Sequence, residues 1–145
     1  MIPFTDREMQ RAWRENMSAA DVKPKINAHR LLLFYAVECG LKSVLMKRNG
    51  RTGRRTDSCP HLSEVQHNIN RLLDILGAGG NLNLPVTLKM KGIKDNRSNE
   101  EIRASDPGQI NQMWRYGGNA LNPADVEIED KLNGISEWIE RELAI

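Results

Sequence analysis

The chain has 145 residues, 39% hydrophobic and 28% charged, with a net charge of +2 and two cysteines. That length suits one ordinary domain over residues 1–145, with a core of Leu, Ile, Val and Met because aromatics reach only 5%. No apolar run approaches the roughly 18 residues of a membrane span, two cysteines make no disulfide framework, and "MIPFTDREMQ" lacks the apolar stretch of a secretory signal. A cytoplasmic protein is expected.

Thr5 and Glu8 have the spacing of a capping box, and Phe4 and Met9 that of a hydrophobic staple. With Met9, Ala12, Trp13 and Met17 on one stripe, they predict a first helix over about 6–17. Asp21 reads as the next cap, with Pro24 tolerated in the first turn of a second helix over about 22–48. "LLLFYAV", residues 31–37, is apolar on every face, so this helix should run through the middle of the protein. Glu38 and Lys42 are ordered for an i,i+4 ion pair, and Asn49-Gly50 is a helix stop.

Leu62, Val65, Ile69, Leu72, Leu73 and Leu76 predict a third, amphipathic helix ended by "GAGG" at 77–80. Residues 81–105 read as a long surface insertion, although "LPVTLKM" could form a short strand. Asp106-Pro107 opens a fourth helix with Ile110, Met113 and Trp114, stopped by Gly117-Gly118. Asn122-Pro123 opens the last, with Ile128, Leu132, Ile135, Ile139 and Leu143 on one face and Trp138 beside them. The expectation is an all-α bundle of about five helices with a long loop insertion between the third and fourth.

Charge is unevenly spread. From Ala124 onward seven acids meet Lys131 and Arg141, a net of −5, which leaves +7 for the rest. "KRNGRTGRR", residues 47–55, holds Lys47, Arg48, Arg51, Arg54 and Arg55 with no acid, a run that favours an anionic partner. The bland alternative is a solvated loop. "GAGG" lacks the Lys-Ser/Thr of a phosphate cradle and reads as a helix stop. Cys59, His61 and His67 match no zinc spacing, so neither metal nor cofactor is expected. His29 is most simply a hydrogen-bonded residue at the head of the central helix.

Arg55 and His61, six positions apart, raise a sharper question. Metal-free RNA cleavage needs a group near neutral pKa to take the 2′-hydroxyl proton, and a fixed cation to hold the phosphate. Histidine and arginine suit those tasks. Equally, Arg55 belongs to a basic run and His61 flanks a helix start.

Three segments in order, "FYAVECGLKSVLMK", "PHLSEV" and "WRYGG", followed by a helix with "ISEWIEREL", resemble the HEPN domains (higher eukaryotes and prokaryotes nucleotide-binding) over residues 28–143. The resemblance implies a four- to five-helix bundle, often a homodimer, common in bacterial and archaeal conflict systems. Many members are RNases that use an Arg followed four to six residues later by His; others are binding modules. Arg55 and His61 have a permitted spacing, but Thr56 stands where the family usually has Asn, Asp or His, and Arg55 falls in a glycine-containing loop. Arg115 and Tyr116 match the family's Arg-Tyr. With Glu38 and Lys42 they form an expected structural or ligand cluster, in which Arg115 or Tyr116 partners the charged pair.

Two functions follow as expectations. The first is a nucleic-acid- or nucleotide-binding adaptor of a bacterial defence or toxin–antitoxin system, binding its ligand through Lys47, Arg48, Arg51 and Arg54. The second is a metal-independent endoribonuclease using Arg55 and His61. An acidic last helix (Asp125, Glu127, Glu129, Asp130, Glu137, Glu140, Glu142) could also face a basic partner protein.

Overall fold

The computed structural model describes residues 2–145, and its first helix begins as the sequence dictates. The Glu8 amide donates to Thr5 Oγ1 at 3.2 Å while Glu8 Oε1 accepts from the Thr5 amide at 3.0 Å, a complete capping box. Helix α1 (Asp6–Ala20) runs three residues past its predicted end. It turns Trp13 and Ala20 inward, and the buried Trp13 Nε1 donates to Ser136 Oγ at 3.1 Å.

Helix α2 (Asn27–Arg48) starts later than predicted. Asp21 serves the end of α1 instead, its amide donating to Ser18 O, and the Lys25 ammonium binds the carbonyls of Ala20 and Val22. Lys23, preceding a proline, is disfavoured in helical conformation, so residues 21–26 form a link. His29 Nδ1 accepts the Ile26 amide at 3.2 Å and caps the helix. As expected, α2 is the spine, with Phe34, Ala36, Val37, Leu41 and Met46 fully buried. Gly40 lets three helices meet: a Cβ there would lie 2.8 Å from both Ile139 Cδ1 and Trp13 Cδ1.

The predicted third helix is two. Leu62, Val65, Ile69, Leu72, Leu73 and Leu76 are all buried, but they divide between α3 (Leu62–Val65) and α4 (Ile69–Leu76). Gln66, at φ 45°, breaks the helix, and Asn68 starts α4 by accepting the Arg71 amide at 3.1 Å. Gly77, at φ 64°, ends it in the left-handed region that glycine adopts freely.

The all-α expectation is wrong. Residues predicted as an insertion form strands β1 (Leu88–Lys94) and β2 (Glu100–Ser105), which with β3 (Ala120–Asn122) make an antiparallel sheet in the order β2-β1-β3. Buried Leu88 and half-buried Met90 alternate with exposed Lys89 and Lys91, the period-two pattern of a half-buried strand. Asp95 Oδ1 accepts the amides of Arg97 and Asn99 and closes the β1–β2 turn. Among the described residues, six α-helices together with this three-stranded sheet give a mixed α and β fold.

A single 3-10 turn capped by Asp106 leads into α5 (Ile110–Arg115). The final helix α6 (Asp125–Leu143) starts after Ala124 and not at Asn122, because Asn122 pairs with Lys89 in the sheet. Its face of Ile128, Leu132, Ile135 and Ile139 is buried against α2. No helix among the described residues is long and apolar enough to cross a membrane.

Candidate functional site

The basic run folds as the end of α2 plus a short 3-10 turn, Gly50–Gly53. Two of its cations are consumed structurally. Lys47 Nζ donates to the carbonyls of Leu143 and Ile145 at 3.1 and 2.8 Å. Arg48 donates to Leu76 O, pairs with Glu142 at 3.1 Å and lies over the Trp138 ring. Arg51 and Arg54 are exposed, and among the described residues neither has an ion-pair partner. The loop is held down by the N-terminal segment: the Asp6 amide donates to Arg54 O, and the Thr56 amide donates to Phe4 O. The Phe4 amide in turn donates to Thr56 Oγ1 at 2.9 Å.

This stitching sets the loop beside the start of α1, where Arg7, Arg11 and Arg14 occupy i, i+4 and i+7. All three are exposed, and among the described residues they too have no ion-pair partner. Of the three acids on this helix, Glu8 is turned back onto Thr5, while Asp6 and Glu15 remain beside the arginines. The turn carrying the exposed Arg51 and Arg54 is thus held beside the start of the helix that carries the exposed Arg7, Arg11 and Arg14. The spacing of the α1 arginines was readable in sequence; the docking of the helix start on the loop was not.

Arg55 and His61 each engage a neighbouring acid and share no hydrogen bond among the described residues. Arg55 grips Asp57 through two bonds, Nε to Oδ1 at 2.9 Å and Nη2 to Oδ2 at 2.8 Å. That fork raises the Arg55 pKa and holds the Asp57 carboxyl below its ordinary range. His61 Nδ1 lies 3.4 Å from Glu64 Oε2, and the backbone there is left-handed at φ 68°. Both side chains are 58% exposed. Cys59 is buried beside Asn49 and His67 lies on Glu38, so the three candidate ligands do not converge.

The Glu38 cluster exists, with different members. Lys42 Nζ pairs with Glu38 Oε2 at 3.0 Å as predicted. The other oxygen, Oε1, takes His67 Nδ1 at 2.8 Å from the break between α3 and α4. Arg115 binds the Tyr35 hydroxyl instead, and its guanidinium lies 6.0 Å from both the Tyr35 and Tyr116 ring centroids. Tyr35, Glu38 and Lys42 line one face of α2, so the group runs along that helix from Arg115 to Lys42. Glu38 itself is only 7% exposed, and Lys42 and His67 each satisfy one of its oxygens. Sequence reading left Tyr35 and His67 out of this cluster: Tyr35 entered only within the apolar run and the "FYAVECGLKSVLMK" resemblance, and His67 only as a metal candidate.

The last helix is less acidic outside than its composition implies. Asp125 accepts Trp114 Nε1, the Ala120 amide and Asn119 Nδ2 at 2.8 to 2.9 Å, and Arg30 bridges it to Glu129. Glu142 holds Arg48. Glu127, Asp130, Glu137 and Glu140 remain exposed. A cleft of about 810 Å³ opens between the 21–26 link and α6, floored by Ala20 and Leu33 and walled by the Arg30–Glu129 pair.

No family model matches the chain, and neither a curated protein nor a solved structure resembles it closely enough to count as a match.

Proposed function

We propose that the chain is a nucleic-acid-binding adaptor, a cytoplasmic component of a bacterial defence or toxin–antitoxin system that pairs as a homodimer. What supports the binding is a set of five exposed arginines without ion-pair partners among the described residues, three on α1 and two on the 50–54 turn held beside its start. Separate, solvated guanidinium groups suit successive phosphates along a strand better than the one phosphate cluster of a mononucleotide. The system and the pairing rest on the resemblance to HEPN domains.

The test is binding of a labelled single-stranded RNA over a salt series. Substituting Arg7, Arg11, Arg51 and Arg54 with Ala should weaken binding and lower the salt slope by roughly 0.7 for each phosphate no longer neutralised. An unchanged slope would remove these arginines as the RNA-binding surface. Cleavage through Arg55 and His61 is the lesser reading, because each side chain is held by an acid two or three residues away.

A further inference from the structure

Strand β2 is an edge of the sheet, and among the described residues its extensive packing is on β1. Its outer row of amides and carbonyls is therefore open to another strand. At the middle of this edge stands Ile102, 83% exposed on the solvent face, with Glu101 before it and Arg103 after it. Opposite charges flank an apolar centre symmetrically.

We propose that β2 pairs with β2 of a second copy of this chain, antiparallel, about a two-fold axis at Ile102. In that register Ile102 lies against the partner's Ile102, Glu101 against the partner's Arg103, and Arg103 against the partner's Glu101. Directly opposed residues share a sheet face, so both ion pairs lie on one side and the two isoleucines on the other. A shift by one residue in one direction sets Glu101 against Ala104 and Arg103 against Ile102; in the other it sets Glu101 against Ile102 and leaves Arg103 only Glu100, which is folded over Gly92.

Arg103 Nε donates to Lys91 O at 2.9 Å, which leans the side chain toward β1, so pairing with the partner's Glu101 requires it to swing outward across the edge. Glu100 folds over Gly92, where an added Cβ would lie 2.5 Å from Glu100 Oε1, so it stays out of the junction. The residue opposite it would be the partner's Ala104, which leaves room. An edge guarded against self-association usually carries one sign of charge, which repels its copy. This one carries both. The product is a continuous six-stranded sheet whose interface is isologous, as a two-fold dimer requires.

Sedimentation over a wide concentration range tests the interface, with circular dichroism confirming that each variant is folded. The wild type should dimerise. Glu101→Arg, which sets like charges together twice, should weaken the dimer at least about tenfold, and so should Arg103→Glu. The charge-swapped double variant should regain most of the affinity. In a separate arm, Ile102→Cys under mild oxidation should give a disulfide joining the two substituted positions, mapped by mass spectrometry. A monomeric wild type overturns the interface and the homodimer together. A dimer indifferent to Glu101→Arg overturns this interface and keeps the homodimer. Neither result touches the arginines proposed to bind RNA, whose test is the salt slope.

Discussion

His67 Nδ1 lies 2.8 Å from Glu38 Oε1, joining the break between α3 and α4 to the middle of the central helix. A carboxylate only accepts, so this nitrogen carries the proton and Nε2 points away from Glu38. With Lys42 on the other oxygen, one buried carboxylate holds two elements. A double-mutant cycle between Glu38→Gln and His67→Ala, read by urea unfolding, should give a coupling of about 1 kcal/mol. Strict additivity would mean that the pair does not hold the bend.

Two glycines in helices should respond with opposite signs. Gly40→Ala forces a methyl into Trp13 and Ile139 and should cost about 1–3 kcal/mol. At Gly134, in α6, an added Cβ meets nothing within 4 Å, so Gly134→Ala should stabilise by about 0.5–1 kcal/mol. Thermal melts of the two variants check both.

Asp57 restrains the basic loop. Asp57→Asn removes the fork on Arg55 and frees a sixth arginine, next to Arg54, so RNA affinity and salt slope should both rise. Because the fork holds the Asp57 carboxyl below its ordinary range, the pair persists through mild acid and opens only at lower pH. The gain from Asp57→Asn should therefore be full at neutral pH and vanish in strong acid.

Burial first, and the neighbouring Glu38 second, push the Cys39 thiol up to about 11. The sign favours the inert thiol over the thiolate across the whole neutral range. At pH 9 its alkylation should be roughly fiftyfold slower than that of an ordinary cysteine, and should accelerate only as pH approaches its own titration. Fast labelling at pH 8 in the folded state would contradict this placement. Burial raises Cys59 as well, so neither thiol should be reactive near neutrality.

Local signals were the legible part of the fold. The Thr5–Glu8 box, the apolar run at 31–37 and the buried stripe of α6 all follow from residues within a turn or two of one another. The bend at Gln66 hid because α3 and α4 keep the same apolar spacing across it, although Asn68 before Ile69 is a cap signal. The β1–β2 hairpin hid because basic residues dominate "LKMKGIK", leaving only Leu88 and Met90 to mark its inner face. At the site, the Glu38–Lys42 pair was readable because it is local. Its link to His67, 29 positions away, was not, and neither was the consumption of Lys47 and Arg48 by distant carbonyls and acids.

Lys47 holds the carbonyls of Leu143 and Ile145, while Phe4 and Asp6 hold the backbone from Arg54 to Thr56. Residues near both extremities of the sequence thus close around the same turn like a clasp. A fluorophore pair near positions 2 and 145 would act as a gauge of that turn, its transfer efficiency falling whenever the clasp opens.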